Sequence, residues 1–141
     1  WTIPAERMKA SKKHVVPLSK RALEIAASMR DLHDGPNIFP GDRRPHLSNM
    51  AFLQLLKRMD RADLTAHGFR STFRDWAAER TAYPGEVIEM ALAHSIASKT
   101  EAAYRRGDLL EKRRRLMDDW AGYCNQPANE GAAVVSINDA R

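Results

Sequence analysis

Cysteine is all but absent. The 141 residues hold a single one, Cys124, so neither a disulfide framework nor a cysteine metal site can be built within the chain, and a reducing compartment is favoured. No apolar run approaches the length that a bilayer requires, and no signal-peptide pattern opens the chain. No two histidines stand at i, i+4 and the carboxylates are scattered, so the usual metal-ligand spacings are missing. There is no glycine-rich phosphate loop to support nucleotide hydrolysis, and no nucleophile-elbow pattern. An initiator methionine is missing too: the chain begins at Trp1 and reads as a piece of something longer.

What is present describes a folded, basic domain. Hydrophobic residues make up 43% of the chain, with three tryptophans, three tyrosines and four phenylalanines, which suits one globular unit with a core and not a disordered segment. Lysine and arginine number 23 against 18 acidic residues, a net charge of +5. That balance points to a polyanionic partner, against the plainer reading of a solvated basic surface.

Hydrophobic spacing then divides the chain. "WTI" at 1–3 and "HVVPL" at 14–18 are short and β-branched, and the basic "ERMKASKK" between them predicts a β-hairpin with a lysine-rich turn. Ser19 is placed to cap a helix over 20–32, with Ala22, Ile25, Ala26, Met29 and Leu32 on one face. "HDGPNIFPGDRRPH", with two glycines and three prolines, is a loop with room for a short strand at Asn37–Phe39. Ser48 is the next expected cap, before an apolar stripe of Phe52, Leu55, Leu56 and Met59 over 49–60. A helix over 67–80 is expected to bury Phe69, Phe73, Trp76 and Ala77. Pro84 suits the first turn of another, with Val87, Ile88, Ala91 and Leu92 inward. A short helix over 98–106 carries Tyr104. A last one over 108–125 turns Leu109, Leu116, Met117, Trp120, Tyr123 and Cys124 to the core, and the basic run "EKRRR" on it needs no more than solvation. The fold class is therefore mainly α with a small N-terminal β-hairpin (α+β). The domain spans 1–126, and 127–141 is a tail that either frays or supplies "AAVVSI", residues 132–137, as a strand to a sheet.

Four short patterns bear on chemistry. His67 and Arg70 stand at i and i+3, on one face near a helix N-terminus, where unpaired N–H groups and the positive dipole end favour an anion. Arginine offers a planar fork to two phosphate oxygens, and histidine adds a donor. Alone, an HxxR is far more often a capping histidine beside a surface arginine. His94, after "EMALA", reads alone as a helix-terminal cap. Tyr104, in "EAAYRRGD", reads alone as a surface aromatic, and Lys9 as one turn lysine among several.

Taken in order, "MKASKKHVVPLS", "HGFRSTFRDWAAE" and "ALAHSIASKTEAAYRRGD" resemble the C-terminal catalytic domain of the tyrosine recombinases, specifically bacteriophage-type integrases, from about Trp1 to Gln126. The resemblance implies that Lys9 protonates the leaving 5′-oxygen, that His67, Arg70 and His94 bind the scissile phosphate, and that Tyr104 is the nucleophile of a 3′-phosphotyrosyl intermediate. One element departs from the family pattern: its first active-site arginine would lie before Trp1, and Arg7 is too close to Lys9 to replace it.

The resemblance further implies double-stranded DNA attachment sites as partners, a homotetramer on DNA, arm-binding and core-binding domains upstream, and a bacterial cytoplasmic, nucleoid-associated setting. It implies no cofactor and no metal, because the covalent link conserves the phosphodiester energy. Lys12, Lys13, Arg43, Arg44, Arg74 and Arg105 are the basic residues expected to track DNA phosphates. A non-catalytic DNA-binding regulator on the same helical scaffold is the alternative, and a structural module with a merely solubilising surface is the third.

Overall fold

The computed structural model describes residues 1–41, 45–94 and 107–127. Two strands, β1 (Thr2–Ile3) and β2 (His14–Val15), pair antiparallel with Thr2 opposite Val15 and Ile3 opposite His14. The pairing extends one residue further: the Val16 N–H donates to the Trp1 carbonyl at 2.8 Å, and the Trp1 terminal amine donates to the Val16 carbonyl at 2.9 Å. A single 3-10 turn, Ala5–Arg7, opens the long connection, and Ser11 in the left-handed region (φ 49°) helps to reverse it.

Helix α1 (Lys20–Asp31) starts where Ser19 Oγ accepts the Ala22 N–H at 3.3 Å, the expected cap. Helix α2 (Ala51–Arg58) starts later than expected. Ser48 does not cap it by its side chain; its carbonyl accepts the Ala51 N–H at 3.0 Å in a turn, so the residues before Ala51 are spent reversing the chain. Helices α3 (Ala66–Arg80), α4 (Gly85–Ala91) and α5 (Leu110–Cys124) complete the described chain. Asn37–Phe39 forms no strand. The Asn37 side-chain amide donates to the Pro45 carbonyl at 2.7 Å and the His33 ring meets the Ile38 carbonyl at 3.3 Å, so local side chains serve this loop in place of a neighbouring strand. The short helix expected over 98–106 and the strand at 132–137 lie outside the described residues. Among those residues no helix is long and apolar enough to cross a membrane.

The core lies between α3, α4 and α5. Phe73 and Ala77 meet Val87, Ile88 and Leu92 across Leu116. Trp76 and Trp120, with ring centroids 5.0 Å apart, close one side, and Tyr123 stacks on Trp120 at 5.5 Å. Tyr83 donates its hydroxyl to Asp119 Oδ2 at 2.7 Å, tying the α3–α4 connection to α5. The helical stripes of α1 and α2 are less buried than their spacing suggests. No residue of α1 is fully buried, Leu32 is 70% exposed, and on α2 only Leu56 is buried. Phe69 also stays 47% exposed, packing edge-on against Phe52 instead of entering the core, and Tyr123 and Cys124 lie at the surface.

A charged residue takes the place that the apolar pattern leaves open. Arg113, in the run read as solvated, is 1% exposed. Its Nη1 donates to the Val15 carbonyl of β2 at 2.6 Å, its Nε to the Asp108 carbonyl at 2.8 Å, and its Nη2 to Asp108 Oδ2 at 3.2 Å. The other Asp108 oxygen accepts the Leu110 N–H at 3.1 Å, so one carboxylate orients the guanidinium and starts α5. Beside this group, burial first and the Arg113 charge second hold the His14 imidazole below its ordinary value, against the opposite pull of Asp108 and the Ala91 carbonyl.

Two outcomes are expected. Arg113→Met keeps the bulk but strands the Val15 and Asp108 carbonyls, and should lower stability by about 3 kcal/mol. Urea unfolding measures this, and an unchanged midpoint would show that the guanidinium bonds add nothing. The second concerns pH. Because His14 binds its proton less readily folded than unfolded, the unfolded chain holds more protons as pH falls through about 6.5. Stability should therefore decline on acidification below that point, and less so in His14→Gln, read as melting temperature against pH.

Candidate active site

The ends of two helices build the site. Thr65 Oγ1 accepts the Gly68 N–H at 3.0 Å and caps α3, which sets His67 in the first turn. The cap is thus Thr65, and the histidine keeps its side chain for another use. His67, Arg70 and Arg74 follow at i, i+3 and i+7, one stripe along α3.

That stripe meets the C-terminal end of α4. Arg70 Nη2 donates to the Leu92 carbonyl, where the unpaired carbonyls and the negative dipole end attract a cation. The bond occupies one of the five guanidinium N–H groups. One turn along, Arg74 Nε donates to Glu89 Oε1 at 3.0 Å. The chain then leaves α4 through a left-handed residue, Ala93 (φ 55°). The Ala93 N–H returns to the Met90 carbonyl at 3.1 Å and the His94 N–H to the Glu89 carbonyl at 2.9 Å, the paired bonds of a Schellman closure. This closure folds His94 back over the last turn, where its Nδ1 bonds to Glu89 Oε2. Arg70 and His94 are thereby drawn to the same helix end, with His67 at the near end of the same stripe.

Of the other expected residues, Lys9 is exposed in the hairpin turn, and among the described residues it bonds to none of His67, Arg70 or His94. Lys12 and Lys13 are exposed in the same turn. Arg74 forms an ion pair with Glu89 and keeps about half of its side chain exposed. Tyr104, Arg105, Arg43 and Arg44 lie outside the described residues. No group of three histidine, cysteine or acidic side chains placed to hold a metal occurs among the described residues.

The remaining tyrosines have structural work. Partial burial, and then Asp119, push the Tyr83 phenol up to about 12, which suits a hydrogen-bond donor and not a nucleophile. Tyr123 is stacked against Trp120 and Trp76.

Glu89 is the member of this cluster that sequence reading passed over, as one letter of "EMALA". Its signal would have been a helix C-terminus with an αL residue four positions later. Alanine at that position, in place of the glycine that usually marks it, hid the closure.

Comparison with known proteins now decides the family. The model of the phage integrase family matches residues 1–110. The chain belongs to the phage integrase family. Prophage integrase IntA of Escherichia coli (strain K12) is 38% identical over 140 residues, covering 96% of this chain and 33% of that protein. Prophage integrase IntZ of the same strain is 37% identical over 125 residues, 85% of this chain and 30% of that protein. An integrase of Enterobacteria phage P4 is 28% identical over 160 residues, the whole of this chain and 36% of that protein. The chain spans about a third of the length of the curated relatives it matches. No solved structure matches it. Lys9, His67, Arg70, His94 and Tyr104 all fall within the stretch that matches the integrase family, whereas most of α5, with Arg113, lies beyond it.

The cap at Thr65 gives a test of how this candidate site is held. Thr65→Ala should lower stability by about 1 kcal/mol. Amide exchange at Gly68 should quicken with it, and unchanged protection there would show that the first turn of α3 does not need its cap.

Proposed function

We propose that this chain is the catalytic domain of a tyrosine site-specific recombinase, which integrates or excises a mobile element by breaking and rejoining DNA. The observation that carries the reading is the meeting of Arg70 and His94 at the end of α4, on the stripe that begins with His67. Such a set of donors suits the oxygens of a phosphodiester.

In this reading Tyr104 attacks the scissile phosphorus, its phenolic proton passing to a base. The bond to the 5′-oxygen breaks and a 3′-phosphotyrosyl link forms. A phenol with a pKa of about 10 attacks poorly at neutral pH, so basic neighbours or a proton-accepting imidazole are needed. Negative charge growing on the non-bridging oxygens is met by Arg70, His67 and His94. Lys9 protonates the departing 5′-oxygen. Attack by the 5′-hydroxyl of another strand then reverses the step and frees the tyrosine, with no cofactor consumed. The whole protein would add the upstream arginine and further DNA-binding domains, act as a homotetramer on two attachment sites, and work at the nucleoid in the bacterial cytoplasm. Lys12, Lys13 and the arginines at 43, 44, 74 and 105 would contribute sequence-independent phosphate contacts.

The test is covalent capture on a nicked attachment site by the whole protein. Tyr104→Phe should abolish the denaturation-resistant adduct while leaving DNA binding nearly unchanged. An adduct that persists in the phenylalanine variant names another nucleophile. Arg70→Ala should slow adduct formation about a hundredfold, on the order of 3 kcal/mol. A crystal soaked in sulfate should show one anion shared by Arg70, His67 and His94. Side chains that never share an anion, with full activity in Arg70→Ala, would leave a basic helical DNA-binding module as the better description.

A further inference from the structure

Glu89 is the point at which α3, α4 and the turn after α4 are joined. Its carbonyl accepts the His94 N–H at 2.9 Å, Oε1 takes Arg74 Nε at 3.0 Å, and Oε2 takes His94 Nδ1. Backbone and side chain of one glutamate thus hold backbone and ring of one histidine. The direction of an imidazole and the identity of its protonated nitrogen are set by what the other nitrogen bonds to. A carboxylate only accepts, so the nitrogen facing it carries the hydrogen.

We propose that Glu89 is a positioning residue of the active site: with Arg74 holding its other oxygen, it takes the Nδ1 hydrogen of His94 and so commits Nε2 as the nitrogen offered to the phosphate. The inference rests on the reading of His94 as a phosphate-site residue. With Nδ1 engaged, Nε2 accepts a proton while the ring is neutral and donates one once it is charged. Either service to a phosphoryl transfer needs the ring held still.

The His94 bond first, and the Arg74 bond after it, outweigh burial and hold the Glu89 carboxyl below its ordinary value, so it remains an acceptor through the neutral range. Arg74 then has an office beside the expected phosphate contact. Its charge braces the carboxylate, and its neighbour Arg70, occupied by the Leu92 carbonyl through a single N–H, keeps the rest of its fork for an anion. Among the described residues α3 and α4 bring His67, Arg70, Arg74 and Glu89 toward this end, with His14 beside the Ala91 carbonyl on the β2 side.

Two measurements test this, one independent of activity. In the chain labelled with 15N histidine, at about pH 8, the His94 ring should be in the Nδ1–H form. Glu89→Ala should release it to the Nε2–H form that an unheld ring in water favours. Glu89→Gln, whose amide oxygen still accepts, should retain Nδ1–H in part. An Nε2–H ring in the unaltered chain, or one tautomer shared by all three, overturns the proposal.

The second measurement is adduct formation by the whole protein on the nicked site. Glu89→Ala should slow it about ten- to a hundredfold with DNA affinity unchanged. Added to His94→Ala it should slow it no further, since the two act as one unit. Losses that multiply would mean that Glu89 acts by some route other than His94, and the proposal fails. Full activity in His94→Ala alone removes the phosphate role of His94 itself. The tautomer measurement then still reports on whether Glu89 holds the ring.

Discussion

A guanidinium almost without exposure is the constraint on which the remainder of this structure depends. The hairpin has strands of two residues each, too little pairing to hold in water unaided. Arg113 supplies what pairing does not, by reaching from α5 to the Val15 carbonyl and by bonding twice to Asp108 at the start of its own helix. A buried arginine is tolerable when its N–H groups meet acceptors and a carboxylate stands near, and both conditions are met. The consequence reaches across the chain: the turn that bears Lys9 is fastened to the helix that follows the Tyr104 segment, over 98 residues of sequence.

The candidate site uses the polar chemistry of helix ends. Two groups that every helix leaves over are put to work, the first N–H groups of α3 under the Thr65 cap and the last carbonyls of α4 under Arg70. The left-handed Ala93 carries a conformational cost of about 1–2 kcal/mol, and in return the chain doubles back and sets His94 over Glu89. Phe73, Trp76 and Trp120 pack α3 against α5, and Val87, Ile88 and Leu92 bring α4 to the same core, so apolar packing and the Arg70 and Arg74 bonds together set the spacing between these ends.

Charge is distributed with the same logic. Three arginines stand in different surroundings: Arg113 is buried and fully bonded, Arg74 pairs with Glu89, and Arg70 gives one nitrogen to the Leu92 carbonyl. A net charge counts all three alike. For a phosphate site, what matters is which cation still has hydrogens to donate once the fold has taken its share.

Much was legible in sequence because it depends on near neighbours. Ser19 and Pro84 mark helix starts through their own side chains, β-branched residues at 2–3 and 15–16 mark a hairpin, and the HxxR spacing puts two side chains on one helix face wherever it occurs. The order of Lys9, His67, Arg70, His94 and Tyr104 likewise sufficed to point to the integrase family, which the match over 1–110 bears out. What only the tertiary structure decided are pairings between segments far apart. Apolar spacing says which face of α1, α2 or α3 is oily but not whether another element covers it, so Leu32 and Phe69 stayed outside. In "EKRRR" three arginines look alike, and only the position of β2 buries the first of them. In "EMALAHS" nothing marks Glu89 until a left-handed alanine turns the chain back upon it. Local patterns determine elements because their energies are local; the choice among identical charged side chains belongs to the partners that folding brings within reach.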